Sequence, residues 1–253
     1  MFDLSGRVAV VTGGAGAIGS AVAKGLARQG AKVVVASRNL PALQEVAEQI
    51  RQETGAEVEP MTVDVTSGES VSRLVEGVIN RFGTVDILVT AHGFNIKAQA
   101  LEMPMDEWQR LLEANVTGTM LCCKAFGKVM AEKNYGKIIN VSSVRGIRAN
   151  AGGNSAYCAS KGAVDMITRC LAAEWARYHV NVNAIGPALM ASKLTEKQMQ
   201  EPGRTEAYLR NIPWGRLAKP QDCVGAVVYL ASDEADFITG QILYVDGGLT
   251  AIG

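Results

Sequence analysis

Residues Val8 to Gly19 read VAVVTGGAGAIG, so a short β-branched run leads into a glycine-rich turn and then into a segment with helical apolar spacing. This order predicts a buried strand, a tight turn and a helix. Glycines let the backbone of such a turn approach a pyrophosphate, whose oxygens then meet the N–H groups of the helix N-terminus. A glycine turn that only packs a helix on a strand has the same pattern. The prediction is a dinucleotide-binding turn with contacts from Gly13, Gly16, Ala17, Ile18 and Gly19.

The rest of the chain repeats this alternation of strand and helix patterns. Further β-branched runs occur at Lys32–Val35, Val58–Val63, Asp86–Thr90, Lys137–Val141, Val180–Ile185 and Gln241–Val245. Helical apolar spacing occurs at Gly19–Gln29, Leu40–Glu53, Glu69–Phe82, Trp108–Ala131, Ala156–Tyr178 and Gln221–Ala231. Apolar strands that alternate with amphipathic helices are typical of a parallel sheet covered on both faces. We therefore expect an α/β fold, a doubly wound parallel sheet of Rossmann type, formed by residues 1–253 as one domain.

Composition restricts the classes of function. Lysine plus arginine and aspartate plus glutamate both number 25, so no global basic field favours nucleic acid. The five cysteines are an odd number without ligand spacing, which indicates free thiols in the cytoplasm. The apolar run Val8–Val11 is too short for a signal peptide or a membrane helix. His179 has no cysteine, histidine or acid near it at ligand spacing, so we expect no metal site.

One long segment has no clear period. Residues 186–217 carry three prolines and two further glycines beyond Gly186. A segment of this length inside a compact domain is usually functional. We expect it to form a lid over a ligand cleft at the carboxyl ends of the strands.

A second group of residues points to proton transfer. Tyr157 and Lys161 lie four apart at the start of a predicted helix, so their side chains share one face. A nearby ammonium favours the phenolate, and we expect Lys161 to lower the pKa of Tyr157. Fourteen residues before Tyr157, the predicted strand Lys137–Val141 ends in Ser142-Ser143 at the edge of the sheet where ligands bind. Alone, a tyrosine and a lysine at this spacing more often form an ordinary surface pair.

Together these motifs resemble those of the short-chain dehydrogenase/reductase family. Thr12-Gly13 and Ile18-Gly19 match its TGxxxGxG loop, with Ala17 in place of the middle glycine, and Asn115, Ser143, Tyr157 and Lys161 match its catalytic residues. The resemblance implies that Tyr157 exchanges a proton with the substrate oxygen and that Ser143, rather than Ser142, holds that oxygen. It also implies that Lys161 binds the nicotinamide ribose and that Asn115 carries a water relay behind the lysine. Alanine at position 17 fits if that residue needs no positive φ.

The resemblance extends over the whole chain. Asn183–Ala188 is similar to the family's N-x-x-x-P-G, with Ala188 in place of glycine, and Gly240–Gly248 is similar to its last strand and turn. It implies further cofactor contacts from Asp64, Val65, Ala91, Gly93, Pro187 and Ser192, the last of which would hold the carboxamide. The family's Asn-Asn-Ala-Gly is here Thr90-Ala91-His92-Gly93, so two bracing amide side chains are missing. We expect His92 to be packed or solvated rather than to act as a second acid or base.

The end of the second predicted strand indicates which dinucleotide binds. An acid about 20 residues past a glycine loop accepts the ribose hydroxyls of NAD, whereas an arginine there suits the 2′-phosphate of NADP. No acid occurs between Leu4 and Gln44, and the strand leads into Ser37, Arg38 and Asn39. Arg38 can pair with a phosphate, and Ser37 removes a repelling carboxylate. The sequence therefore predicts NADP(H), and use of NAD(H) as well stays open.

Several substrates fit the resemblance. Lys97, Arg145 and Arg148 fall in loops that should rim the cleft, which favours an anionic small molecule, although solvated loop charges would look the same. The chain is similar to gluconate 5-dehydrogenases, which suggests a keto sugar acid, and also to 3-oxoacyl carrier-protein reductases and reductases of other ketones. A non-catalytic nucleotide sensor on the same fold is the alternative outside enzymes. The family also implies a homotetramer.

Overall fold

A computed structural model describes residues 1–190 and 204–252. Its centre is a parallel sheet whose strands lie where the β-branched runs predict them. They are β1 (Val8–Thr12), β2 (Lys32–Ser37), β3 (Val58–Thr62), β4 (Ile87–Thr90), β5 (Gly136–Val141), β6 (Val180–Pro187) and β7 (Ile242–Val245). The predicted doubly wound parallel sheet is confirmed.

The strand order fixes where a ligand can enter. The seven strands are arranged β3-β2-β1-β4-β5-β6-β7, and every neighbouring pair is parallel. The order reverses between β1 and β4, so the connections that leave these two strands run in opposite directions. In sheets of this kind, ligands bind at the carboxyl ends of the strands beside such a reversal.

Helices cover both faces of the sheet. The described α-helices are α1 (Ala17–Arg28), α2 (Leu40–Thr54), α3 (Gly68–Phe82), α4 (Met105–Leu112), α5 (Gly118–Glu132), α6 (Ser155–Trp175), α7 (Arg204–Leu209) and α8 (Val224–Ala231). Side chains of one strand alternate between two cores. Ala9 and Val11 pack with α1 and α8, whereas Val8 and Val10 pack with α3 and α5. This alternation explains why the strands are apolar without a break.

The long predicted helix Trp108–Ala131 is interrupted in the structure. It consists of α4 and α5, joined by the π-helical turn Glu113–Thr117. A π turn widens the helix and shifts the direction of its side chains, and such turns are frequent at functional sites. Its central residue is Asn115, one of the residues that the sequence singles out.

Only part of the expected lid lies within the described residues. Strand β6 continues to Pro187, so the first residues of the expected lid belong to the sheet. A single parallel bridge pairs Met190 with Ala218, and α7 lies between these two residues along the chain. Ser192, which the resemblance assigns to the carboxamide, lies outside the described residues.

Candidate active site

The glycine turn between β1 and α1 is closely packed against the end of β4. Gly13 has a φ of +69°, and a Cβ atom on it would lie 2.5 Å from the carbonyl oxygen of Ala91. A Cβ on Gly19 would lie 2.3 Å from the oxygen of Gly13. Side chains at either position would force the turn away from the sheet. Ala17 begins α1 and is not among the described non-glycine residues with positive φ, so the methyl group there is accommodated as expected.

This turn has the geometry of an anion cradle. The first N–H groups of α1 have no acceptor within the helix, and the positive end of the helix dipole lies at the same place. Ala91 and Gly93 follow β4 immediately beside the turn. Backbone groups alone can therefore hold a pyrophosphate here, and the residues present fit a dinucleotide.

Ser37, Arg38 and Asn39 stand between β2 and α2, at the same edge of the sheet. Asn39 caps α2, because its Oδ1 accepts a hydrogen bond from the N–H of Ala42 at 3.1 Å. Arg38 is exposed at this helix start. Ser37 accepts a hydrogen bond from the N–H of Asn39 at 3.4 Å, so both residues shape the helix start, whereas Arg38 presents its charge to the solvent.

Asp64 and Val65 follow β3 on the outer side of Arg38. The Asp64 carboxylate accepts hydrogen bonds from the N–H and the hydroxyl of Thr66, at 3.0 and 2.7 Å. These bonds, chiefly that of the hydroxyl, hold the pKa of Asp64 below its usual value, and the charge of Arg38 acts in the same direction. Val65 packs on Gly118, because a Cβ added to Gly118 would lie 2.9 Å from Cγ2 of Val65. Both residues therefore lie at the carboxyl edge of the sheet, as a cofactor contact requires.

The two serines after β5 point in different directions. The hydroxyl of Ser142 donates to the carbonyl of Lys161 at 3.3 Å, which ties β5 to α6. The hydroxyl of Ser143 lies 3.4 Å from the carbonyl oxygen of Pro187, at the end of β6, and accepts from the N–H of Arg145 at 3.2 Å. Ser143 is therefore the serine at the open edge of the sheet.

Tyr157 and Lys161 occupy one face of α6, as their spacing predicts. The Lys161 ammonium donates to the carbonyl of Val141 at 2.7 Å and lies 5.7 Å from the centre of the Tyr157 ring. Burial lowers the pKa of Lys161 to about 8, so the side chain is still largely protonated at neutral pH.

The pKa of Tyr157 departs from the expectation. Burial raises this pKa because it disfavours the phenolate, and the hydrogen bond to the Ser143 side chain and the charge of Arg145 act in the opposite direction. The prediction that Lys161 gives Tyr157 a lowered pKa is therefore wrong for the structure as it stands. The hydrogen bond and the charge effect both require Ser143 and Arg145 to lie close to the Tyr157 hydroxyl.

Asn115 joins the site to the loop after β4. Its Oδ1 accepts from the N–H of Phe94 at 3.0 Å, and its Nδ2 donates to the carbonyl of Phe94 at 2.9 Å and to the Ser160 hydroxyl at 3.1 Å. The side-chain amide is thus fully engaged. Its main-chain carbonyl accepts a hydrogen bond from the Thr119 hydroxyl at 2.8 Å, and a carbonyl oxygen can accept two. A relay through Asn115 must therefore use this carbonyl.

The three basic residues expected at the rim differ in their surroundings. The Arg145 guanidinium donates to the carbonyls of Arg148 and Ala149, each at 3.2 Å. Arg148 donates to the carbonyl of Leu249 and so holds the loop after Ser143 against the C-terminal segment. Lys97 is exposed on the loop after β4, which pairs with the loop before α6 through Ala98 and Gly153. Only Arg145 acts electrostatically on Tyr157.

Sequence reasoning missed Asp165, one helical turn after Lys161. Its side chain is 2% exposed, and neither carboxylate oxygen has a hydrogen-bond partner among the described residues. Burial raises its pKa. The carboxylate occupies the space beside Gly146, where an added Cβ would lie 2.2 Å from Oδ2. The spacing from Lys161 was visible in the sequence, but the burial was not.

Comparisons with known proteins indicate the family of this chain. A family model described as enoyl-(acyl carrier protein) reductase matches residues 13–250. The gluconate 5-dehydrogenase of Gluconobacter oxydans (strain 621H) is 34% identical over 250 residues, covering 99% of this chain and 97% of that protein. The 3-oxoacyl-[acyl-carrier-protein] reductase of Synechocystis sp. is 36% identical over 252 residues, covering 98% and 99%. A solved gluconate 5-dehydrogenase from Burkholderia cenocepacia J2315, in complex with NADP and tartrate, has a TM-score of 0.95 at 33% identity and covers 100% of this chain and 98% of its own.

The fold and the matches together define the class of protein. The chain belongs to the short-chain dehydrogenase/reductase family, and it is an oxidoreductase. The similarity to gluconate 5-dehydrogenases and to 3-oxoacyl carrier-protein reductases, expected from the motifs, is confirmed. Among the described residues, no helix is long and apolar enough to cross a membrane.

Proposed function

We propose that this protein transfers a hydride between NADP(H) and a carbonyl or secondary alcohol, with a keto sugar acid as the carbonyl form of its substrate. The observation that carries the proposal is the convergence of Ser143, Tyr157 and Lys161 at the end of β5. Ser143 comes from the end of β5, and the other two come from the face of α6 that closes on it. A non-catalytic nucleotide sensor needs no such arrangement of proton donors.

The proton chemistry follows from the surroundings of Tyr157. When bound, NADP(H) supplies or accepts the hydride. Tyr157 has a raised pKa and stays protonated at neutral pH, which suits a general acid that donates its proton to the oxygen of a carbonyl substrate. Ser143 donates a hydrogen bond to the same oxygen. In the opposite direction, Tyr157 takes the proton of the alcohol.

Lys161 and Asn115 complete the proposed machinery. The Lys161 ammonium is held by the Val141 carbonyl, 5.7 Å from the centre of the Tyr157 ring, and its proposed role is to bind the nicotinamide ribose rather than to lower the pKa of Tyr157. It has further donors for a ribose hydroxyl. The main-chain carbonyl of Asn115 has a lone pair for a water that returns the proton from solvent.

The preference for NADP(H) is supported by the end of β2. Arg38 is exposed at the start of α2, and Asp64, an acid at the same edge of the sheet, is engaged by Thr66. Both Arg38 and the helix start favour a phosphate over an uncharged hydroxyl. The solved relative from Burkholderia cenocepacia holds NADP, which agrees with this choice.

An anionic sugar acid is the substrate that the rim favours. Arg145 lies near Tyr157 and keeps donors beyond the two backbone carbonyls that it binds. A relative solved in complex with tartrate, a hydroxy acid, supports an anionic ligand for this chain. Reduction of a 3-oxoacyl thioester is the second candidate, because a relative of similar coverage is a 3-oxoacyl-[acyl-carrier-protein] reductase by name.

The decisive experiment compares Tyr157→Phe with the two serine variants. Loss of the Tyr157 hydroxyl should lower kcat about 1,000-fold, and Ser143→Ala about 100-fold, because both act on the charge that forms on the substrate oxygen. Ser142→Ala is the matched control, since its hydroxyl points to the Lys161 carbonyl and should leave most of kcat. NADPH binding, followed by fluorescence, should stay near the wild-type value in all three. A Tyr157→Phe enzyme that keeps most of its kcat would falsify the assignment.

We also propose a cytoplasmic homotetramer. The outward face of α6 carries Ala159, Met166, Cys170 and Ala173, all exposed in the single chain. A stripe of small and apolar side chains on a helix that already buries its other face favours packing against a second copy. All five cysteines are free thiols, which fits a reducing compartment.

A further inference from the structure

His92 is enclosed between three elements of the cofactor side of the cleft. It follows β4, and its Nδ1 lies 2.7 Å from the hydroxyl oxygen of Thr12, at the end of β1. Its Nε2 lies 3.4 Å from the hydroxyl oxygen of Thr119, in the first turn of α5. Both threonines are buried. The imidazole therefore spans the distance between the glycine turn and the helix that follows Asn115.

The donors and acceptors around the ring define its form. The Thr119 hydroxyl donates to the carbonyl of Asn115 at 2.8 Å, so its oxygen is left to accept from Nε2–H. The Thr12 hydroxyl has a better acceptor in Nδ1, at 2.7 Å, than in the carbonyl of Val89, at 3.4 Å. Both contacts are satisfied by a neutral imidazole that carries its proton on Nε2. Burial, with a smaller effect from the Lys161 charge, lowers the pKa of His92 to about 3, which agrees with the neutral form.

The backbone on either side of His92 is tightly packed as well. A Cβ on Gly13 would lie 2.6 Å from the backbone nitrogen of His92, so the glycine turn rests on this residue. A Cβ on Gly93 would lie 2.8 Å from Oδ1 of Asn115, whose amide binds Phe94 in both directions. Residues 91–94 thus pack against both the glycine turn and Asn115.

We propose that His92 is a positioning residue, whose neutral imidazole links Thr12 to Thr119 and so holds the glycine turn in register with the π turn that carries Asn115. The family's Asn-Asn-Ala-Gly would provide bracing amide side chains here, and this chain lacks them. The imidazole takes over their bracing role. It does not exchange protons with the substrate. Its effect on turnover rests on the proposed function, whereas its effect on cofactor binding does not.

Kinetics separate this role from the two others that His92 could have. His92→Ala should raise the KM and the Kd for NADPH about tenfold, because two hydrogen bonds that position the turn are lost. The pH profile of kcat should keep its wild-type shape. Loss of an acid or base would instead change that profile, and a merely structural role would lower the active fraction with KM unchanged. His92→Gln should recover the affinity to within about threefold of wild type, since an amide can accept from Thr12 and donate to Thr119. His179→Gln, at an exposed site, is the matched control.

A double-mutant cycle tests the link itself. Thr119→Val should weaken NADPH binding, and His92→Ala should add little to it, because both remove the same connection. Losses that add in full would show that the two residues act separately. Unchanged NADPH affinity in His92→Ala, within twofold, would overturn the proposal.

The wild-type protein allows a test that no misfolded variant can obscure. The chain has two histidines, so a spectrum of ¹⁵N-labelled imidazoles contains two spin systems, and His92→Gln or His179→Gln identifies each. We expect His92 to carry its proton on Nε2 from pH 5 to pH 8. A His92 ring that protonates within this range would contradict the proposal. Failure of the Tyr157→Phe experiment would leave this result and the NADPH binding data unaffected, so the two hypotheses fail separately.

Discussion

The half-buried His92 predicts a measurable loss of stability in mild acid. The folded protein keeps this imidazole neutral, with a pKa of about 3, whereas a histidine in the unfolded chain has its ordinary value of 6.5. Below pH 6.5 the unfolded state therefore binds a proton that the folded state excludes. Linkage requires the free energy of unfolding to fall as the pH falls through the range from 6.5 to about 3.

The size of the effect follows from these two values. Between pH 7 and pH 5, the unfolded imidazole changes from mostly neutral to almost fully protonated, which removes about 2 kcal/mol of stability. His92→Gln keeps the contacts without a titrating group and should escape this loss. The difference in unfolding free energy between wild type and His92→Gln should thus shift by about 2 kcal/mol between the two pH values.

Urea unfolding, followed by circular dichroism at one protein concentration, measures this shift. Comparison of two variants cancels the titration of all other groups. Thr119→Val is the control, because it removes a contact of the ring but leaves the ring able to titrate, so its stability difference from wild type should be similar at pH 7 and pH 5. If the difference between wild type and His92→Gln is also the same at both pH values, the imidazole is not excluded from protonation in the folded state, and the reasoning fails.

Three further predictions concern the cofactor, the substrate and the assembly. Arg38→Ala should lower kcat/KM for NADPH about 100-fold and leave that for NADH nearly unchanged, because only the former loses a charge-assisted pair with the 2′-phosphate; equal effects on both would argue against the assignment. Arg145→Gln and Lys97→Ala should reduce kcat/KM for a keto sugar acid about tenfold, but not for its neutral amide. Arg148→Ala should affect the acid and the amide alike, because the Arg148 guanidinium holds the Leu249 carbonyl. Light scattering should give about four times the chain mass of 26.8 kDa, and Met166→Glu should shift the protein to smaller species; a monomer at micromolar concentration would refute the tetramer.

The sequence by itself determined the fold and the residues proposed for catalysis. Strand runs such as Val8–Thr12 and the glycine turn after them depend on neighbours in the chain, so periodicity and composition suffice to locate them. The spacing of Tyr157 and Lys161 has the same local character, because a helix places residues four apart on one face. Even the choice of Ser143 over Ser142 came from the motif, and the direction of each hydroxyl agrees with it.

Tertiary structure alone decided what surrounds these residues. The π turn at Asn115, with its bonds to Phe94 and Ser160, depends on a loop 21 residues earlier and a helix 45 residues later. The raised pKa of Tyr157 follows from burial, which no local pattern reports, and so does the neutral form of His92. From the sequence, Arg148 was expected as a charge at the rim of the cleft. In the structure, its guanidinium instead binds the carbonyl of a residue 101 positions away. Local patterns predict where in the fold a residue lies. Solvation and long-range partners determine the chemistry of its side chain, and both exist only once the chain has folded.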